Sequence, residues 1–139
     1  MKLVCMVAGL LALLISPVQA QEQKDVAVPQ LLSTAVTSSG QPIVLPQKDA
    51  QIIVSTYDVV PGATLPVHKH PYPRYAYVLS GNLRVTNMET GQSDTYKPGD
   101  FIVESTGQLH TGANIGDEPV KLLVIDIVGK GQTNIVLQK

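Results

Sequence analysis

No stretch of ten or more residues after residue 20 carries a helical hydrophobic period. Short β-branched and aromatic runs instead recur every eight to twelve residues, separated by Gly, Pro and Asn turn signals. QIIVSTYDVV (51–60) is dense in Ile, Val, Thr and Tyr and ends at Pro61-Gly62, so it reads as a strand closed by a turn. Arg74 to Leu79, LRVTNM (83–88), SDTYK (93–97), FIVE (101–104) and EPVKLLVIDIV (118–128) continue the series, and the Ser80-Gly81-Asn82 turn predicts a hairpin between the first two of these. LLSTAVTSSGQPIVLPQ (31–47), broken by Gly40, Pro42 and Pro46, predicts two short strands. Pro71 and Pro73 cannot donate to a ladder, so HPYP reads as a stiff loop with Tyr72 at the mouth of the fold. Such spacing implies an antiparallel sandwich or barrel.

All three histidines fall within this strand-rich region. His68 and His70 are separated by one residue, so on an extended backbone they project from one face about 7 Å apart. One metal ion can bridge that separation if a third ligand arrives from a neighbouring strand, and His110 is the only histidine left to supply it.

The two segments that carry the histidines resemble the two motifs of the cupin superfamily. The first is Gly, five residues, His-x-His, three or four residues, Glu, six residues, Gly, and here it reads Gly62, His68, His70, Arg74, Gly81. The second is Gly, five residues, Pro-x-Gly, two residues, His, three residues, Asn, and it reads Gly99, Ser105, Gly107, His110, Asn114. Two positions depart from the pattern: Arg74 replaces the Glu and Ser105 replaces the Pro. The resemblance implies a small antiparallel β-barrel, the jelly-roll-like double-stranded β-helix, with His68, His70 and His110 as ligands of a divalent transition metal. Imidazole ligands suit Fe, Ni, Zn and Cu, and Mn when a carboxylate joins them. The family also implies a homodimer, and five tyrosines beside a single Phe suit a half-polar interface.

Arg74 is the main objection to a metal. A guanidinium about 5 Å from a divalent ion would be repelled by ~7 kcal/mol at an effective dielectric of about 20, and it cannot escape by losing its proton. Either Arg74 points outward, or it pairs with a buried carboxylate, or the metal has been lost. Alternation along FIVE puts Ile102 and Glu104 on one face, and the resemblance turns that face inward. Glu104 then joins the ligands or pairs with Arg74, unless it is solvated at the strand end. If Arg74 stands in the ligand's place, Arg74→Glu is expected to restore the ligand.

Residues 1–20 combine Lys2, an apolar run from Leu3 to Ile15, Pro17 and Ala20, the layout of a signal peptide cleaved after Ala20. A periplasmic or secreted location is therefore expected, with no membrane attachment after cleavage. Residues 21–30 are polar and aperiodic, a flexible leader ahead of a single domain over 31–139. The chain left after cleavage has 119 residues, 139 minus 20, which is enough for one core. Its only cysteine, Cys5, is gone, so neither disulfides nor a thiolate enter the chemistry. Net charge moves from −1 to −2 with the loss of Lys2, which leaves no basic excess to attract nucleic acid.

Two function classes stay open from the sequence. One is a metal-dependent enzyme, an oxidoreductase or dioxygenase acting on a small organic molecule. The other is a non-catalytic binding module in which Arg74 and Tyr72 hold a ligand with an anionic group.

Overall fold

The computed structural model describes residues 26–139, so the expected signal peptide (1–20) and the first half of the expected leader lie outside the described residues. Val26 to Gln30, the rest of the leader, is exposed and without secondary structure. Nine strands follow: β1 (Ala50–Val59), β2 (His68–Lys69), β3 (Arg74–Ser80), β4 (Leu83–Asn87), β5 (Ser93–Tyr96), β6 (Phe101–Val103), β7 (His110–Asn114), β8 (Val120–Gly129) and β9 (Val136–Leu137). They form two sheets, ordered β1-β8-β3-β6 and β5-β4-β7-β2-β9, and the named strand pairs are all antiparallel. The fold is therefore all-β, as the strand spacing implies.

The strict two-residue alternation of β3 and β8 builds the core. Ala76 and Val78 face Val120, Leu122 and Val124 inside, joined by Val59, Leu83 and Ile102. The opposite face of the same sheet carries Tyr75 and Tyr77 beside Ile125 and Leu123, and at its edge Ile52 and Val54 are largely exposed.

Two expectations about pairing need correction. β3 and β4 do not form a hairpin, because the Ser80-Gly81-Asn82 turn carries the chain from one sheet to the other. Gly81 makes that crossing at φ +73°, and any Cβ there would lie 2.8 Å from the Val120 backbone. Residues 31–47 form no strand, only a bridge between Val36 and Pro42 around Gly40. Proline cannot extend the ladder, so the small hairpin docks instead onto β6 through Ser38 N–H to the Val103 carbonyl at 2.7 Å.

Candidate metal centre

β2 and β7 are register partners at His68 and His110, which places the first and third histidines side by side. His70 follows on the chain's exit from β2, bridged to Thr106, and is fully buried. The carboxylate of Glu104 enters from the end of β6. His68, His70, Glu104 and His110 are all buried, and each offers one ligand atom within 4.8 Å of the others. Glu104 thus joins the histidines, and the inward face shared with Ile102 is confirmed: Ile102 is 2% exposed and in the core, whereas Phe101 and Val103 look out toward the 31–43 segment.

The hydrogen bonds fix the direction of each imidazole. Nδ1 of His68 faces the Pro66 carbonyl at 2.7 Å, Nδ1 of His110 faces the Gln108 carbonyl at 2.9 Å, and Nδ1 of His70 faces the Asn134 carbonyl. A carbonyl only accepts, so all three Nδ1 atoms carry the proton. The Nε2 atoms of the neutral rings are then lone-pair donors, and those of His70 and His110 lie 3.2 Å apart, each 3.0 Å from Glu104 Oε2. Lone pairs at that separation repel unless positive charge sits among them. Metal-ligating histidines show this arrangement, with the outer nitrogen tied to a carbonyl or carboxylate.

Titration behaviour follows the same geometry. Burial disfavours a charged Glu104, but when no cation is present and His110 and His70 carry a second proton, on Nε2, their hydrogen bonds outweigh it and hold the carboxyl well below its ordinary range. Burial likewise works against a charged His110, yet the contact with Glu104 raises its pKa. His68 shifts down because it is buried and has two histidine neighbours.

Arg74 is buried and points inward. Its Nε and Nη2 donate to the two oxygens of Asp126 at 3.0 and 2.9 Å, and Nη1 reaches the Tyr57 hydroxyl at 3.3 Å. Arg74 and Asp126 are register partners on β3 and β8, so the bidentate pair is built into the sheet. Of the alternatives open from the sequence, pairing with a buried carboxylate is the one realised, and the partner is Asp126, not Glu104. A divalent ion at the histidines would face a neutral pair in place of a bare cation, which removes most of the repulsion. Asp126 is legible in hindsight, since Val120, Leu122, Val124, Asp126 and Val128 alternate onto one face and make it the only charge among buried apolar residues.

A cavity of about 20 Å³ lies between the histidine side and the Arg74 side, lined by Tyr57, Arg74, Glu104, His68 and His110 and by apolar residues such as Leu65 and Leu122. Tyr72 stands apart from it, half-buried, its N–H bonded to Asn134 Oδ1 at 2.8 Å and its hydroxyl to Gln132. Asn114, read from the sequence as closing a turn, donates to the carbonyls of Val59 and Glu118 and accepts from Gly116 N–H.

The cupin domain profile matches residues 55–126, just over half of the chain. The chain belongs to the cupin family. Among solved structures this cupin is similar to the polyketide cyclase RemF of Streptomyces resistomycificus, at 19% identity and a TM-score of 0.54 over 70% of each chain. A double-stranded β-helix protein of Klebsiella pneumoniae is 23% identical with a TM-score of 0.51, over 83% of this chain and 99% of that one. Oxalate decarboxylase of Bacillus subtilis, an enzyme with Mn(II) centres, is 31% identical with a TM-score of 0.52. That match takes in 62% of this chain but only 23% of the decarboxylase, so the cupin spans about a quarter of the enzyme's length. No curated protein matches the chain.

Proposed function

We propose that this cupin is a divalent transition-metal protein whose ligands are His68, His70, His110 and Glu104. The observation that carries the reading is the commitment of all three Nδ1 atoms to main-chain carbonyls, which leaves three Nε2 lone pairs and a carboxylate converging on one point. Three nitrogens and one oxygen suit Mn, Fe, Ni, Zn or Cu, and the similarity to a Mn(II) decarboxylase makes Mn(II) the first ion to test. A bound ion of this kind supplies Lewis acidity and, when redox-active, one-electron chemistry.

The activity we propose is that of a metal-dependent oxidoreductase, including the dioxygenase class, on a small molecule. The interior cavity holds little more than one water-sized group, so the substrate has few heavy atoms or enters as the mouth opens. Within that cavity Arg74 and the Tyr57 hydroxyl are the donors that would orient it. The alternative of a non-catalytic module that grips an anion through Arg74 is less favoured, because the Nε–Nη2 edge of the guanidinium already holds Asp126 and Nη1 meets the Tyr57 hydroxyl. Tyr72 reaches toward the C-terminal arm and not toward the histidines.

Elemental analysis of the protein purified without a histidine tag tests the metal reading. About one divalent ion per chain is expected, and a preparation that neither contains metal nor gains thermal stability from added Mn(II) or Co(II) would refute it. The signal-like layout of residues 1–20 supports export, for which the mass of periplasmic protein should begin at Gln21. The apolar outer face around Ile52, Val54, Tyr75 and Tyr77 supports a homodimer, which light scattering on the purified chain would reveal.

A further inference from the structure

We infer that Asn134 is a positioning residue for His70, and that the C-terminal arm carrying it, residues 130–139, closes the metal centre. The inference rests on the metal reading above. Asn134 is 3% exposed and touches three parts of the site's surroundings at once. Its carbonyl accepts the Nδ1 proton of His70, its Nδ2 donates to Asp126 Oδ1 at 2.6 Å, and its Oδ1 accepts the Tyr72 N–H at 2.8 Å. The side chain therefore holds the carbonyl in the place that sets both the tautomer and the direction of the His70 ring. Through Asp126 the same residue is joined to Arg74.

The rest of the arm is held at its surface, where Lys130 N–H donates to the Asp49 carbonyl at 2.8 Å, Gly131 N–H to Gln51 Oε1 at 3.0 Å and the Tyr72 hydroxyl to Gln132 Oε1. Asn134 is its only buried residue, while Val136 and Leu137 are 41% and 59% exposed. β9 does pair with β2, at His68 with Leu137 and Lys69 with Val136, and Gln138 N–H donates to the Val67 carbonyl at 2.9 Å. Two residue pairs at a sheet edge, with exposed side chains, are a weak attachment. The polar anchor at Asn134 decides the register of the arm, and the arm contributes one of the carbonyls that orient the ligands. His68 and His110 take theirs from Pro66 and Gln108, two residues earlier on their own chain segments, so only the His70 ring takes its acceptor from the arm. Ordering of the arm and affinity for the ion are then linked: whatever frees one weakens the other.

The test titrates Co(II) into full-length wild type and Asn134→Ala, following the visible absorption of the bound ion. Asn134→Ala is expected to bind Co(II) ten- to a hundredfold more weakly, with an altered spectrum, as outer partners of ligating histidines do. Affinity within twofold of wild type and an unchanged spectrum would overturn the inference, since a purely structural role lowers the melting temperature without touching the ion's coordination. Hydrogen exchange on the wild type keeps the question decidable if the variant does not fold. Co(II) should slow the Tyr72 and Gln138 amides at least tenfold more than Asp100 N–H in the turn after β5, and equal slowing at all three would overturn it. Failure of wild type to bind Co(II) would sink the metal reading and this inference together, whereas binding by both proteins alike would sink this one alone.

Discussion

The backbone N–H of Glu104 donates to the carbonyl of Arg74 at 2.8 Å. Arg74 occupies the place where the cupin motif has its carboxylate, and Glu104 sits beside it on the adjacent strand. The site therefore keeps a carboxylate by taking it from the neighbouring strand end, while the original position carries a cation neutralised by Asp126. A carboxylate one strand over still reaches the histidines, since adjacent strands lie only about 5 Å apart.

Glu104→Gln removes the charge and keeps the shape. We expect the affinity for Mn(II) or Co(II) to fall about a hundredfold, which corresponds to ~2.7 kcal/mol. Calorimetric titration of both proteins checks this, and an unchanged affinity would show that Glu104 is not a ligand.

Asp126→Ala leaves Arg74 buried without its partner. The expected loss is about 3–5 kcal/mol, the usual cost of breaking a buried ion pair from one side. Replacing both residues, as Arg74→Met with Asp126→Leu, should recover most of it. Arg74→Glu, which from the motif alone should restore a ligand, is now expected to destabilise the protein, because it sets a second carboxylate directly across from Asp126. Urea unfolding of the four proteins gives the comparison.

His68→Ala and His110→Ala should lower the melting temperature chiefly in the metal-loaded state. Free ion at a hundred times its Kd stabilises the native chain by about 2.7 kcal/mol, and the variants forfeit that term. Equal shifts with and without metal would assign the histidines to packing.

Tyr96 provides a pH test outside the site. Burial, reinforced by the negative charge of Asp94, pushes its pKa up to about 12. Above about pH 10 the unfolded state loses this proton while the native state keeps it, so stability declines until the folded group also ionises. Ultraviolet titration should show Tyr96 ionising late, and Tyr96→Phe should flatten the decline in urea midpoint between pH 10 and 12.

The strand series was legible in the residues because β-branched alternation and turn signals are local properties. β1 at Ala50–Val59 and β8 at Val120–Gly129 fall within two residues of where the pattern puts them. The histidine triad was legible too, since the spacing of His68, His70 and His110 matches a two-part motif and no other histidine competes. Period-two alternation put Glu104 on the face of Ile102, and only the family resemblance turned that face inward. Which strands pair was not, and the expected β3–β4 hairpin opens because Gly81 lets the chain cross between sheets, a choice made by packing against Val120. The partner of Arg74 depends on register: Asp126 lies fifty-two residues away in sequence and meets it only when β3 and β8 align. Asn134 left no mark in the sequence at all. It lies in a polar, aperiodic run, and its importance comes from the contact that brings its carbonyl to His70, sixty-four residues away, and its side chain back to Asp126, a meeting that no local pattern encodes.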